Sequence, residues 1–264
     1  MPGEDRTFWG QETFCIVTGA SQGIGRSFAV EFARNFAKNS VIVLLARSFR
    51  GLQATNDLIA AANPDVKVIL HVMDLYSPNP SEFNKIIAEA AGDVSQFKLA
   101  VVVHNAGSLG NCSQLTSEMN DLAEWNRFMS LNLYSVTALT TEFLKIFNSG
   151  QRCLVNITSL CAIQPVRSLG YYCIGKASRE MYFKTLAEED PSLDILNYSP
   201  GPVNTGMITD LIQSVKSDDT KSMFESMKSN GTLVSLPETT AKAVEVLRKG
   251  KYKSGGRVDY FDDI

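Results

Sequence analysis

Short apolar runs alternate with longer stretches of helical periodicity along almost the whole chain. The apolar runs predict strands over residues 13–18, 40–46, 66–73, 98–104, 151–158, 193–198 and 256–261. The periodic stretches predict helices over residues 26–38, 51–63, 82–91, 121–147, 166–189 and 237–249, with two more inside residues 204–233. This alternation predicts an α/β fold: a single Rossmann-type, doubly wound parallel sheet of about seven strands with helices on both faces.

In such a sheet the ligand lies at the carboxyl ends of the strands. The first six predicted strands end, in order, at Gly19, Arg47, Asp74, Asn105, Ser159 and Gly201. Because parallel strands bring these ends to one edge, the sequence predicts one site there. We find no internal repeat, low-complexity tract or linker, which predicts a single domain over residues 1–264.

A glycine-rich loop, Gly19-Ala-Ser-Gln-Gly-Ile-Gly25, follows the first strand and precedes the first helix. A strand, a glycine loop and a helix in this order are the context of a dinucleotide-binding loop. Gly19 allows the tight turn, Gly23 lets the backbone approach a pyrophosphate, and Gly25 lets the helix pack close to the sheet. The spacing is G-x3-G-x-G and differs from the common G-x-G-x2-G, so a plain glycine turn is the alternative.

Arg47 and Ser48 follow the second strand, where an enzyme that binds NAD usually places an acidic residue. A guanidinium and a hydroxyl suit the 2′-phosphate of NADP, so NADP is the predicted cofactor, with a solvated arginine as the alternative. Gln22 is neutral where many NADP enzymes carry a second cation, so affinity is expected to depend mainly on Arg47. Asp74 is expected either to accept the adenine amino group or to cap a helix.

Tyr172 and Lys176 are four residues apart in a predicted helix, so their side chains leave the same face. A cation held close to the phenol favours the ionised form and lowers its pKa below the reference of about 10. A tyrosine so tuned can donate or accept a proton near neutral pH. Tyr171 has Gly175 at the equivalent position and gains no such partner. By itself the pair more often marks a solvated contact, and only the surrounding pattern favours chemistry.

Composition argues against several classes of function. Hydrophobic residues make up 44% and charged residues 20% of the chain, which is typical of a soluble globular protein. The formal net charge of −3 predicts no binding to nucleic acid or to an anionic membrane. No apolar run has the length of a membrane helix, and residues 1–10 are unlike a signal peptide, so a cytoplasmic location is expected.

The five cysteines include no C-x2-C pair and are expected to be reduced thiols. Cys173, beside Tyr172, is expected to be either sensitive to oxidants or a small buried filler. The two histidines, His71 and His104, lie far apart in the sequence. Neither a metal site nor a Ser-His-Asp triad is therefore predicted.

Two helical stretches suggest further roles. Residues 121–147 carry much apolar surface, which fits burial either against a second subunit or within the core. Asn132 lies in the middle of that stretch, where asparagine has poor helix propensity, so a hydrogen-bonding role is expected. Residues 204–233 are rich in Ser, Lys, Asp and Met and are predicted to form a lid over the strand ends.

Together these features resemble the short-chain dehydrogenase/reductase family over nearly the whole chain. The matching segments are Thr18-Gly-Ala-Ser-Gln-Gly-Ile-Gly25, Asn105-Ala-Gly107, Asn132, Ser159, Tyr172-x3-Lys176 and Pro200-Gly201. The resemblance implies an oxidoreductase in which Tyr172 is the proton donor and Ser159 holds the substrate carbonyl oxygen. It also implies that Lys176 binds the nicotinamide ribose while polarising Tyr172, and that Asn132 supports a water relay. His104 replaces the first asparagine of the commoner pattern Asn-Asn-Ala-Gly.

The same resemblance implies a full set of contacts. The expected cofactor contacts are Gly19, Ala20, Ser21, Gln22, Gly23, Ile24, Gly25, Arg47, Ser48, Asp74, Leu75, Asn105, Lys176, Val203, Asn204, Thr205, Gly206, Met207 and Ile208. The expected substrate contacts are Ser159, Leu160, Tyr172, Gly201 and Asp259. No metal ligand is expected.

Within the family, several segments are most similar to members that reduce the side-chain ketones of a pterin. These segments are Ser159-Leu-Cys-Ala-Ile-Gln-Pro165, Tyr171-Tyr-Cys-Ile-Gly-Lys176, Tyr198-Ser-Pro-Gly-Pro202, Lys228-Ser-Asn-Gly231 and Ser254-Gly-Gly-Arg-Val-Asp259. In those members a C-terminal aspartate holds the pterin guanidino group; Asp259 matches it, within an expected substrate segment over residues 254–264. A carboxylate facing two N–H groups makes a two-point hydrogen bond. The resemblance also implies a homodimer formed through residues 121–147 and 166–189.

Two alternatives stay open. A carbonyl reductase of broad substrate range, or an oxidoreductase acting on another ketone, would use the same site, with Asp259 in a purely structural role. A protein that binds NADP without turnover is disfavoured, because Ser159, Tyr172 and Lys176 are all intact.

Overall fold

The computed structural model describes residues 7–263 and, within them, a parallel sheet of seven strands. The strands are β1 (Thr13–Thr18), β2 (Val41–Ala46), β3 (Lys67–Val72), β4 (Leu99–His104), β5 (Gln151–Ile157), β6 (Asp194–Ser199) and β7 (Arg257–Asp259). Their order across the sheet is β3-β2-β1-β4-β5-β6-β7, and each neighbouring pair is parallel. The order of the strands reverses between β1 and β4, so the predicted doubly wound, Rossmann-type sheet is confirmed.

Helices cover both faces of this sheet. They are α1 (Gly23–Asn35), α2 (Phe49–Ala62), α3 (Pro80–Ala91), α4 (Leu122–Met129), α5 (Ser135–Ile146), α6 (Gly170–Glu189), α7 (Gly206–Ser214), α8 (Asp218–Ser229) and α9 (Leu236–Lys249). Helices α1, α2 and α9 pack on one face, whereas α3, α5 and α6 pack on the other. The stretch predicted as a lid, residues 204–233, contains the two expected helices, α7 and α8. Its function as a lid stays a prediction.

The alternation of side chains along β1 shows why the strand is apolar throughout. Cys15 and Val17 belong to the core cluster that α1 and α9 complete, while Phe14 and Ile16 belong to the cluster of α3 and α5. Successive strand residues point to opposite faces, and here both faces are covered. All four side chains are fully buried.

The helix predicted over residues 121–147 is not continuous. A π-helical turn over Ser130–Tyr134 separates α4 from α5. Inside it, Asn132 Nδ2 donates a hydrogen bond to the carbonyl oxygen of Phe128 at 2.9 Å. A side-chain bond to this carbonyl competes with the regular helical bond, and π-helical turns occur frequently at functional sites.

Two further properties of the described residues bear on function. None of the helices given above combines the length and the apolar character that crossing a bilayer requires. In the same part of the chain, no three His, Cys, Asp or Glu side chains are grouped so that they could hold a metal ion.

Candidate active site

A cleft of about 510 Å³ opens at the carboxyl ends of β1 to β4, the edge at which a site was predicted. The predicted cofactor contacts that line it are Gly19, Ser21, Gln22, Gly23, Ile24, Arg47, Ser48, Asp74, Leu75, Asn105, Thr205, Gly206 and Met207. The predicted contacts that lie outside its lining are Ala20, Gly25, Lys176, Val203, Asn204 and Ile208. The cleft is also lined by Ala46, Met73, Tyr76 and Leu131, which sequence analysis did not single out.

Two glycines of the glycine loop are required by close packing against Asn105. Gly19 has a φ of +66°, in the left-handed region that favours glycine. A Cβ atom there would lie 2.8 Å from Asn105 Nδ2, and one at Gly25 would collide with the same amide. Gly23 meets nothing closer than the Thr205 methyl group at 3.7 Å, so its backbone borders open space in the cleft.

Asn105 links the two central strands. Its Nδ2 donates to the carbonyl oxygens of Thr18 at 2.9 Å and Gly19 at 3.3 Å. Its backbone N–H donates to the Thr18 hydroxyl at 3.0 Å. The side chain therefore shapes the cleft by holding the glycine loop against the end of β4.

Arg47 is exposed at the end of β2, with its guanidinium 5.6 Å from the centre of the Tyr76 ring. Arg127, on α4, approaches the same ring at 4.8 Å. Two guanidinium groups thus contact one tyrosine at the cleft, and Arg127 was not among the predicted cofactor contacts. The Ser48 hydroxyl accepts from the Gly51 N–H at 3.1 Å and caps α2.

Asp74 does not cap a helix, so one of its two predicted roles is wrong. Its Oδ1 accepts a hydrogen bond from the Tyr76 N–H at 3.1 Å, which closes a local turn. The following helix, α3, is capped by Asn79, whose side chain accepts from the Ser81 N–H. Asp74 borders the cleft, where the adenine role stays a prediction.

Ser159, Tyr172 and Lys176 converge just beyond β5. The Ser159 hydroxyl oxygen accepts from the Cys161 N–H at 3.2 Å, and the hydroxyl lies close enough to Tyr172 to lower the pKa of the phenol. Lys176 is buried and donates to the carbonyl oxygen of Ile157 at 2.6 Å. Its Nζ lies 5.5 Å from the centre of the Tyr172 ring, over the ring face. The serine hydroxyl and the ammonium group therefore both lie beside Tyr172.

The prediction that Lys176 lowers the pKa of Tyr172 is wrong for this structure. Burial raises the pKa of Tyr172, and the neighbouring Cys161 thiol adds to the increase, whereas the Ser159 hydroxyl and the Arg179 cation oppose it more weakly. The side chain is partly accessible, but its surroundings still disfavour the phenolate. Tyr172 is therefore protonated at neutral pH, which is the form that a proton donor needs.

Burial favours the neutral form of Lys176 as well as that of Tyr172. Burial drives the pKa of its ammonium group well below the usual value, and repulsion from the Arg179 cation adds to this. Contact with the hydroxyls of a ligand would replace part of the hydration that burial removes.

Arg179 is a buried cation that sequence analysis missed. Its side chain is fully buried and donates to Asn156 Oδ1 at 3.0 Å, to the Ala106 carbonyl oxygen at 2.9 Å and to the carbonyl oxygen of His104. It thereby holds the ends of β4 and β5 together beneath the site. An arginine three residues after Lys176, on the same helix face, is the signal that could have identified it.

His104 is a structural residue in this site. It is buried and its Nε2 lies 3.0 Å from the Thr140 hydroxyl. Burial and the Arg179 cation lower its pKa well below the usual value, so the imidazole is neutral. The replacement of asparagine at this position is thus accommodated by a partner on α5.

Asn132 supports the loop that follows β4. Its Oδ1 accepts from the Ser108 N–H at 3.0 Å, and its Nδ2 lies 3.3 Å from the Ser108 hydroxyl. A Cβ atom at Gly107 would lie 2.9 Å from the same Oδ1, so a larger residue there would displace the Asn132 amide. The predicted water relay through Asn132 stays a prediction.

Asp259 ends β7, and its carboxylate accepts from two groups of its own segment. Oδ2 accepts from Arg257 at 3.3 Å and Oδ1 accepts from the Phe261 N–H at 3.2 Å. The side chain keeps 20% of its surface exposed, so a ligand can reach it. The predicted strand over residues 256–261 is shorter, because the chain turns after Asp259.

The two other predicted substrate contacts lie near these groups. Leu160 follows Ser159 in a short 3₁₀ turn and is 48% exposed, so its side chain is free to contact a ligand. Gly201 has a φ of +74°, and a Cβ atom there would lie 3.4 Å from the Phe261 ring and 3.6 Å from the Tyr260 ring. The loop after β6 therefore packs against the C-terminal segment.

The family model for short chain dehydrogenases matches residues 13–216. Sepiapterin reductase of Mus musculus is 35% identical over 251 residues, which cover 94% of this chain and 96% of the relative. Sepiapterin reductase of Bos taurus is 32% identical over 257 residues, 95% of each chain. Benzil reductase of Bacillus cereus, which forms (S)-benzoin, is 27% identical over 263 residues, 95% of this chain and 99% of the relative.

Solved structures agree with the fold. Levodione reductase has a TM-score of 0.78 and 22% identity, over 95% of this chain and 96% of that chain. A short chain dehydrogenase of Shigella flexneri, in complex with NADP, has a TM-score of 0.76 and 21% identity, over 97% of this chain and 100% of that chain. At these identities the likeness concerns the arrangement of strands and helices.

Proposed function

Because the chain belongs to the short-chain dehydrogenase family, a family of oxidoreductases, we propose that it reduces the side-chain ketones of a pterin with NADPH. The proposed substrates are sepiapterin and 6-pyruvoyltetrahydropterin, in the biosynthesis of tetrahydrobiopterin. The similarity to sepiapterin reductases over nearly the whole chain supports this choice. The observation that carries it is that Arg257 contacts both the Ser159 backbone and the Asp259 carboxylate.

The residues of the cleft fit a dinucleotide that carries a 2′-phosphate. The glycine loop leaves backbone N–H groups and the N-terminus of α1 open to a pyrophosphate. Arg47 is exposed at the end of β2 and has no acidic neighbour at position 48, so it suits the extra phosphate. Lys176 would hold the nicotinamide ribose from below the cleft.

The proposed reaction reduces one carbonyl group to an alcohol by the addition of a hydride and a proton. Bound NADPH would supply the hydride to the carbonyl carbon. Ser159 donates a hydrogen bond to the carbonyl oxygen and stabilises the negative charge that develops there. The Tyr172 hydroxyl then gives its proton to this oxygen, which completes the alcohol. Tyr172 regains a proton from solvent.

Asp259 would select the pterin. A pterin presents an amine and a ring N–H on one edge, and a carboxylate can accept from both. Each carboxylate oxygen of Asp259 accepts one bond within the protein and has a second lone pair left for a ligand. A small diketone has no such edge and would gain nothing from this residue.

A cytoplasmic homodimer remains part of the proposal. Exposed apolar side chains on the two helical stretches expected to pair support it: Leu122, Tyr134, Ile174 and Met181. Such side chains are unfavourable in water and suit an interface.

A carbonyl reductase of broad range is the second candidate, favoured by the similarity to a benzil reductase. Comparison of kcat/KM for sepiapterin and for a plain diketone, with NADPH oxidation as the readout, decides between them. A clear preference for sepiapterin supports the pterin reductase. Equal values favour the broad reductase, and binding of NADP without oxidation of NADPH by either substrate would indicate a non-catalytic sensor.

A further inference from the structure

We infer that Arg257 is a positioning residue that holds the pterin-binding carboxylate of Asp259 at a fixed distance from Ser159. The inference rests on the proposed pterin reduction and adds a specificity-determining residue to it. Arg257 lies in β7, two residues before Asp259, and only 14% of its side chain is exposed.

The two terminal nitrogens of Arg257 contact different parts of the site. Nη1 donates to the carbonyl oxygen of Ser159 at 2.8 Å, and Nη2 donates to Asp259 Oδ2 at 3.3 Å. One planar guanidinium therefore links the backbone of the residue that faces the reacting carbonyl with the carboxylate that faces the pterin ring. Because the guanidinium is rigid and planar, it fixes the Asp259 carboxylate relative to the Ser159 backbone.

Glu180 is a third partner that holds the guanidinium of Arg257. Its Oε2 accepts from Arg257 Nη1 at 3.0 Å and from the Thr158 hydroxyl at 2.9 Å, while its Oε1 accepts from Lys184 at 2.8 Å. Only 3% of the Glu180 side chain is exposed. Burial alone would raise the pKa of this carboxyl, but the bonds from Lys184 and Thr158 and the Arg257 charge lower it overall, so it is ionised.

The contact with Arg257 restrains the carboxylate of Asp259. The carboxylate lies at the end of a three-residue strand, where only the Phe261 N–H would otherwise restrain it. A carboxylate that is free to rotate loses conformational entropy when a pterin binds, and this loss weakens the affinity. Arg257 removes that freedom beforehand and also offsets the charge of the carboxylate.

The test measures KM and kcat with NADPH for sepiapterin and for a small diketone in the Arg257→Ala variant. We expect the KM for sepiapterin to rise about tenfold, since a hydrogen bond to a charged group is lost. The diketone values should change less than about twofold, because the Ser159 carbonyl keeps its bond from the Ala162 N–H. Arg257→Lys should not restore the sepiapterin KM, because one ammonium group cannot replace the planar fork.

Arg152→Ala is the matched control, since Arg152 is also a largely buried strand arginine paired with a carboxylate, that of Asp190, but lies near the start of β5. It should leave both KM values unchanged at a similar loss of melting temperature. In the Arg257→Ala, Asp259→Asn double variant, the sepiapterin KM should equal that of Asp259→Asn alone, because both changes remove one interaction.

Three results would overturn the inference: an equal rise in KM for both substrates, a sepiapterin KM in Arg257→Ala that matches the unaltered protein, or additive effects in the double variant. In each of these the unaltered protein still reduces sepiapterin, so the proposed function survives. If the unaltered protein does not reduce sepiapterin, the proposed function and the inference both fail.

Discussion

The Lys176 ammonium lies 5.5 Å from the centre of the Tyr172 ring, over its face, and donates to the Ile157 carbonyl oxygen at 2.6 Å. The cation is thus placed against the aromatic ring and the end of β5, and burial keeps the Tyr172 hydroxyl protonated. A phenol that holds its proton until negative charge appears on the substrate oxygen is suited to the last step of a ketone reduction.

The first prediction concerns the titration of Tyr172 in the protein without nucleotide. Because burial raises its pKa, the phenolate should form only above about pH 10, the usual value of tyrosine. The neutral donor is present below the raised pKa and is lost as the pH rises through it. The difference in tyrosinate absorbance between the unaltered protein and Tyr172→Phe measures this directly. Ionisation of Tyr172 between about pH 7 and 9 would contradict the account.

The second prediction concerns the choice of nucleotide. Arg47→Ala should raise the KM for NADPH about tenfold or more and leave the KM for NADH nearly unchanged, because in the proposed complex the guanidinium binds only the extra phosphate. Steady-state kinetics with each nucleotide provide the measurement. Arg34, an exposed arginine on α1 that pairs with Glu31, gives the control variant Arg34→Ala. A parallel rise in both KM values after Arg47→Ala would count against NADP specificity.

The third prediction concerns Cys173, which is a free, partly exposed thiol beside Tyr172. A hydrogen bond from Cys161 lowers its pKa to about 6, whereas the pKa of the Cys161 thiol is raised. The thiolate is the reactive form, so iodoacetamide should label Cys173 first at pH 7, and the rate should fall as the pH drops through about 6. Peptide mass spectrometry after short labelling identifies the site.

The matching variant is Cys161→Ala, which removes the donor that stabilises the thiolate. It should raise the pKa of Cys173 and slow its labelling at pH 7. Faster labelling of the buried Cys15 or Cys153, whose pKa values burial raises, would refute this description of the thiols.

The fourth prediction concerns the stability that Arg179 provides. Arg179→Met leaves the carbonyl oxygens of His104 and Ala106 and the side chain of Asn156 without their buried donor. We expect the free energy of unfolding to fall by about 3 kcal/mol. Urea unfolding followed by circular dichroism measures it. Arg34→Met, at an exposed ion pair, should change it little, and equal stabilities of the two variants would contradict this role.

The pattern of the sequence was sufficient to place the central strands β1, β2 and β4, because these strands are buried along their whole length and read as apolar runs. Strand β1 was predicted with its observed bounds, and β4 differs by one residue. The break in the helix over residues 121–147 was missed, because a π-helical turn has no periodicity of its own in so short a segment.

The candidate site was predictable where neighbouring residues carry the signal, as in the glycine loop and the Tyr172–Lys176 spacing. The network around Arg257 was not, since its partners Glu180 and Ser159 lie 77 and 98 residues away in sequence. The sign of the Tyr172 shift was also wrong, because sequence spacing reports the distance between two side chains but not how much water surrounds them.

The most direct test of the account is NADPH oxidation by Tyr172→Phe with sepiapterin as the substrate. We expect a loss of turnover of about a hundredfold or more, with NADPH binding within about twofold of the unaltered protein. This variant keeps the aromatic ring and its packing and removes only the hydroxyl group that carries the proton. Near-normal turnover of sepiapterin by Tyr172→Phe would contradict the assignment of Tyr172 as the proton donor.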